Sequence, residues 1–184
     1  MSTWTIAGTL NVESAAQRSE LLAEPVAKAL AALPEAESVG VAAIDPELAD
    51  TAEFCAAYSS PLTASANCVV VAGKRAGEVR YAAAMVLATT RADVNNVIKR
   101  RLDVRKASFA PMAEAVELTG MEYGGITPIG LPEGWPILVD KAVAESPELI
   151  IGSGIRGSKL LVTGAQLAAL PGAEIIEDLA KPVG

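Results

Sequence analysis

Apolar residues recur at helical spacing at Leu22, Val26, Ala29, Leu30 and Leu33, which predicts a helix over residues 13–33. Pro25 falls inside the pattern, so a break is expected there and the stronger helix starts near it. Val39 to Ile44 is a short apolar run before Asp-Pro and reads as a buried strand. Asp50 or Thr51 can cap a short helix through Tyr58 with Phe54, Ala57 and Tyr58 on one face, and Ser59-Ser60-Pro61 ends it. Cys68 to Ala72 predicts a strand, Lys74 to Gly77 a polar turn, and Val79 to Thr89 the second strand of a hairpin. Thr90 with Asp93 approximates a capping box, opening a helix with Val94, Val97, Ile98 and Leu102 on its apolar side. Arg91, Asn95 and Lys99 would then share another face. Lys106 to Phe109 reads as a strand, Pro111 suits a first helical turn, and Gly120 stops a helix over residues 112–119. After a Gly/Pro-rich loop over residues 124–136, strands are expected at 137–140, 149–151, 160–162 and 173–176. Thr163 caps a helix through Leu170, and the tail from Ala180 to Gly184 is expected to fray. Helices and strands mix without strict alternation, which favours a mixed sheet or barrel with packed helices over a doubly wound parallel sheet.

A chain of 184 residues with 51% apolar side chains has ample material for one domain with a core. Aromatics at 4% argue against a single-strand binder built on stacking platforms. The chain has no His, which removes Ser-His-Asp and Cys-His nucleophile systems and His-based metal sites. Cys55 and Cys68 alone cannot complete a tetrahedral zinc site, so no zinc or other His- or Cys-held metal cofactor is expected. The start, Met1-Ser-Thr-Trp-Thr, lacks a signal pattern, and the longest apolar run, Ala82 to Ala88, falls far below the ~18 residues that span a bilayer. No membrane association and a reducing cytoplasm are expected, with the cysteines free.

Charge is uneven. The net charge is −7, yet residues 74–106 hold nine of the 15 basic side chains: Lys74, Arg75, Arg80, Arg91, Lys99, Arg100, Arg101, Arg105 and Lys106. Only Glu78, Asp93 and Asp103 oppose them there, so the window is +6 and the remainder −13. Such a stretch is either a local polyanion site on an acidic body or a solvated helix face.

Three segments could carry chemistry. Tyr123-Gly124-Gly125-Ile126-Thr127-Pro128-Ile129-Gly130-Leu131-Pro132 can turn backbone N–H groups inward as a cradle for a carbonyl or phosphate oxygen, or it is a plain connector. It matches neither a Walker A loop nor a Rossmann fingerprint. Ile151-Gly152-Ser153-Gly154, followed by Lys159, lets a substrate lie against main chain and offers a hydroxyl and a cation; otherwise it is a solvated hairpin turn. Asn67, at the start of the central strand, can donate and accept hydrogen bonds, while Cys68 reads as a small buried hydrophobe.

Glu117-Leu-Thr-Gly-Met-Glu-Tyr-Gly-Gly-Ile-Thr-Pro-Ile-Gly-Leu-Pro132, the strand Pro136-Ile-Leu-Val-Asp140 and the Gly152-Ser153-Gly154 turn resemble the YbaK / prolyl-tRNA-synthetase-associated family of aminoacyl-tRNA editing domains. The likeness spans roughly residues 50–177, within one domain over residues 1–184 that carries an N-terminal helical extension over 1–37. It implies an α+β fold, a mixed, barrel-like sheet surrounded by helices. It also implies a trans-acting, metal-independent deacylase that hydrolyses the ester of a wrong amino acid on the tRNA 3′ end. An aminoacyl-tRNA synthetase is an implied partner.

By the same resemblance, Asn67 and Lys159 are the candidate catalytic residues, and Gly124, Gly125, Ile126, Thr127, Pro128, Gly130, Gly152, Ser153 and Gly154 contact the aminoacyl group. Arg91, Lys99, Arg100 and Arg101 would meet tRNA phosphates. This chain departs from the family where Asn67 stands in place of the central-strand lysine and Lys159 follows the Gly-Ser-Gly turn where relatives are often acidic. Either Lys159 supplies the missing cation, or the fold binds a tRNA end or aminoacyl-nucleotide without turnover.

Overall fold

Apolar runs become strands and 3.6-spaced apolar residues become helices. In chain order the elements are β1 (Glu13–Ser14), α1 (Glu24–Ala31), β2 (Gly40–Ala43), α2 (Thr51–Tyr58), β3 (Ala66–Arg75), β4 (Glu78–Leu87), β5 (Thr90–Ala92), α3 (Lys99–Leu102), β6 (Lys106–Phe109), α4 (Met112–Thr119), β7 (Ile137–Asp140), α5 (Lys141–Ala144), β8 (Leu149–Gly152), β9 (Ser158–Val162), α6 (Gly164–Ala168), β10 (Ala173–Ile176) and β11 (Ala180–Pro182). The computed structural model describes residues 4–183; the reading of Met1 to Thr3 and of Gly184 lies outside them.

β3 and β4 pair antiparallel from Ala66 opposite Leu87 to Arg75 opposite Glu78. They extend on one side through β7 and β10, both parallel, and on the other through antiparallel β6, giving the order β10-β7-β4-β3-β6. β4 is buried on both faces, which is why it reads as a continuous apolar run. Met85 enters the main core beside Val139, Ile151 and Leu160, while Ala82, Ala84 and Val86 face Val94, Ile98 and Leu102. A second, antiparallel sheet has the order β1-β2-β9-β8, and β11 pairs with β5. A parallel bridge from Ser65 to Ile150 joins the foot of β3 to the β8 edge. The architecture is the expected α+β mixture of sheets flanked by helices, although the sheets do not close into a barrel.

Four local expectations change. Within residues 13–33 only Glu24–Ala31 is α-helical; two 3-10 turns precede it, and Glu13–Ser14 pairs with β2. Pro25 sits in the first helical turn, where its missing N–H costs nothing, so it sets the start. Asp93, not Thr90, is the cap: its carboxylate accepts the Asn96 N–H at 3.1 Å, and a π turn over Val94–Ile98 leads into α3. Arg91 therefore lies on β5 opposite Lys181 and shares no helix face with Lys99. The tail does not fray through Pro182, because Leu179 is fully buried and anchors the β11–β5 pair. On α2 the buried contact is Phe54, whose ring lies 5.4 Å from that of Tyr58, while Ala57 faces solvent.

Candidate functional site

The bridge between the two sheets leaves a cleft of about 490 Å³. Its walls are the foot of β3 (Ser65 to Val70), the start of α2 (Asp50, Thr51, Phe54), the β8–β9 edge (Ile150 to Gly152, Arg156, Lys159) and the loop at Tyr123, Gly124 and Ile126. Phe109, Met112 and Tyr123, all exposed, form an apolar rim. The cleft thus brings together five sequence-predicted residues: Asn67, Gly124, Ile126, Gly152 and Lys159.

Lys159 is 8% exposed. Its Nζ donates to Ala49 O at 2.9 Å and lies 5.2 Å from the Phe54 ring centroid. Burial holds its pKa below the ordinary lysine value, and the neighbouring Arg156 pushes the same way. An ammonium has three protons, so two remain for a ligand in the cleft. Asn67 Oδ1 accepts from Thr51 Oγ1 at 3.1 Å, which orients the amide and leaves its NH2 as donor. Cys68 also lines the cleft, but burial raises its thiol to about 12, so it is a neutral wall at neutral pH.

The two glycine turns dock main chain to main chain. Gly154 N donates to Gly125 O at 2.6 Å, and Glu122 N to Gly154 O at 2.8 Å. A Cβ on Gly152 would lie 2.5 Å from Gly125 O and 2.8 Å from Ile126 O, so only glycine permits this approach. The Gly125 amide is used on Glu122 O, and Thr127 N points at Met121 Sδ. Among the described residues, the amides of Gly124 and Ile126 donate to no protein acceptor.

Other predicted contacts face away from the cleft. Thr127 and Pro128 are buried. Gly130 packs on the backbone of Pro25 and Val26, and Gly154, at φ +92°, packs on Ala23 and Val26. Ser153 is fully buried, with its Oγ 3.1 Å from Ser158 O and 2.6 Å from Ser158 Oγ. These residues hold the loops against α1. Sequence reasoning missed Asp50, Phe54, Met112 and Arg156 in the walls, and it gave Tyr123 only as the first residue of the glycine loop. Arg156 Nη1 reaches Tyr123 O at 3.3 Å and Asp50 Oδ1 at 3.5 Å, and its N–H donates to Glu122 Oε1 at 2.7 Å. It lies between the Gly152-Ser153-Gly154 turn and Lys159, and nothing in its spacing separates it from a solvated turn residue.

The basic window is sorted by its partners. Arg101 is forked onto Glu174, with Nε at 2.6 Å from Oε1. Arg75 pairs with Asp103, and Arg80 with Glu78 and Asp103. Arg100 Nε donates to Asn96 O at 3.3 Å. Lys99 instead faces a groove of about 770 Å³ with Lys74, Arg105 and Lys106. Of the expected tRNA set of Arg91, Lys99, Arg100 and Arg101, Arg101 is held by Glu174, while Arg91 on β5 and Lys99 line adjoining hollows that share Asn95.

The fold is an α+β mixture of sheets flanked by helices, with the cleft between the sheets. The chain belongs to the aminoacyl-tRNA editing domain family, whose model matches residues 45–170. A 74-residue stretch is 34% identical to proline–tRNA ligase of Listeria monocytogenes (serovar 1/2a, strain EGD-e) and covers 40% of this chain and 13% of that enzyme. Its counterpart in Listeria welshimeri is 32% identical over the same length. The matched stretch is thus a small part of these ligases. A solved structure of a protein proposed as a trans-editing enzyme for prolyl tRNA synthetase superposes with a TM-score of 0.71 at 22% identity, over 84% of this chain and 94% of that one. A proposed signal transduction protein of Marinobacter aquaeolei VT8 gives 0.54 at 17% identity, over 85% of this chain and 30% of that one. No helix among the described residues is long and apolar enough to cross a membrane.

Proposed function

We propose that the cleft hydrolyses the ester of a mischarged aminoacyl-tRNA, acting in trans. The observation that carries this reading is the convergence of a buried cation, Lys159, an oriented amide, Asn67, and the loop residues Gly124 and Ile126 on one cleft in a member of the editing family. An aminoacyl ester is already activated, so positioning and charge stabilisation suffice. Water adds to the ester carbonyl carbon, and the developing oxyanion faces the Lys159 ammonium and the loop amides. The bond to the ribose oxygen then breaks, and the proton lost by water ends on that oxygen. Free amino acid and tRNA result. The neutral Cys68 thiol and the lack of His favour direct attack by water over a covalent intermediate. A prolyl-type substrate set and association with a synthetase follow from the Listeria relatives and belong to this proposal.

The test is release of amino acid from a panel of mischarged tRNAs by purified protein, beside Lys159→Ala and Asn67→Lys. We expect turnover on at least one member that Lys159→Ala lowers more than it lowers tRNA binding. Salt-sensitive binding without turnover anywhere on the panel would replace this reading with that of a non-catalytic tRNA-end binder.

A further inference from the structure

The groove beside the cleft is the second feature the fold builds from charge. Lys74 on β3 and Lys106 on β6 are direct cross-strand partners, an arrangement of like charges that destabilises a sheet unless something offsets it. Arg105 N donates to Lys74 O at 3.0 Å, which draws a third cation alongside, and Lys99 closes the other wall. None of these four joins an ion pair among the described residues, whereas Arg75, Arg80 and Arg101 all do. The groove's carboxylate, Glu114, is bonded by the Tyr81 hydroxyl. These cations, exposed at Lys74, Arg105 and Lys106 and half-buried at Lys99, make a positive patch on a chain of net charge −7 that complements an anionic partner.

β6 links the groove to the cleft. Lys106 and Ser108 line the groove, and Phe109 lines the cleft. Three residues of strand span about 10 Å, so the groove lies one short step along the strand from the cleft. Resting on the proposed deacylase reading, we infer that this groove seats phosphates of the unpaired 3′ strand next to the ester lying in the cleft. The apolar rim of Phe109 and Met112 stands between the two and suits the face of a terminal base.

The experiment uses three probes: an aminoacylated RNA minihelix, the same minihelix without its unpaired 3′ nucleotides, and 3′-aminoacyl-adenosine. Arg105→Ala/Lys106→Ala is compared with Lys28→Ala/Lys141→Ala, an exposed pair of equal charge elsewhere. For the groove variant we expect KM on the minihelix to rise about tenfold. The slope of log affinity against log salt should fall by about 1.4, at ~0.7 per lost single-strand phosphate contact. Hydrolysis of aminoacyl-adenosine and all behaviour of the control pair stay unchanged. Equal binding of the trimmed minihelix, or an unchanged salt slope, overturns the assignment. Should the wild type hydrolyse neither ester, the deacylase reading fails; the groove then still stands if the minihelix binds and the variant loses the salt slope.

Discussion

Lys159 is the buried charge of the cleft, with Arg156 and Asp50 as its charged neighbours. Its folded pKa is below the ordinary 10.5, so the native state holds its proton less tightly than the unfolded chain does. It therefore opposes folding most fully below the folded pKa, and that penalty is relieved as pH rises from there toward 10.5. Replacing it by Met removes a desolvated charge while keeping an apolar stem, so a thermal melt at pH 7 should give a Tm equal to or above wild type. The same variant should lose about 10²-fold in kcat, the scale seen when an oxyanion stabiliser is removed. A pH–rate profile, corrected for spontaneous ester hydrolysis, tests the cation directly. Wild-type turnover should fall on an alkaline limb below pH 10.5, and Lys159→Arg should carry that limb upward, since guanidinium stays charged. At Gly152 the constraint is steric. Gly152→Ala places a Cβ 2.5 Å from Gly125 O, a backbone atom that cannot yield cheaply. Urea titration should register a loss of about 1–3 kcal/mol, with turnover lost as the two turns separate. Of the residues that the sequence singled out, Asn67 and Lys159 stand on the cleft wall. Ser153, Thr127 and Gly130 stand outside it, because sequence does not reveal whether a loop residue turns toward a cleft or toward α1.

At the scale of elements, legibility followed length and periodicity. The β3–β4 hairpin, β6, α4 with its Gly120 stop, and the Thr163–Gln166 capping box of α6 are all carried by local signals. β1, β5 and β11 are two or three residues long, too short for any period, and exist only because a distant partner supplies their hydrogen bonds. The 15–22 segment falls within the helix expected over residues 13–33, but Ala15 and Leu22 reach the core through 3-10 turns instead. The hairpin turn offers its own test. Ala76 and Gly77 both have positive φ, 50° and 81°, the pattern that favours Asn-Gly. An Ala pays for the left-handed region, so Ala76→Asn should raise stability by about 1 kcal/mol, read as a higher urea midpoint with an unchanged m-value.

Across the whole molecule, the cleft is held from behind by a segment that contributes none of its walls. Val26 and Leu30 of α1 are buried in the main core, and Val26 Cγ2 would lie 2.8 Å from a Cβ on Gly154. Gly154 in turn holds Gly125, and Gly124 and Ile126 border the cleft. The N-terminal region thus acts as a packed buttress, and two truncations separate its roles. Leu30→Ala deletes core contacts away from the loops and should cost about 2–5 kcal/mol, while the folded protein keeps its turnover at low temperature. Val26→Ala removes the methyl groups under Gly154 and should lower turnover as well as the urea midpoint, because the loop that presents the amides loses its support. A lid would behave in the opposite way. Loosening a lid would change substrate entry and leave the urea midpoint near wild type, so the midpoints of both variants, read beside kcat and KM, decide between a buttress and a moving cover.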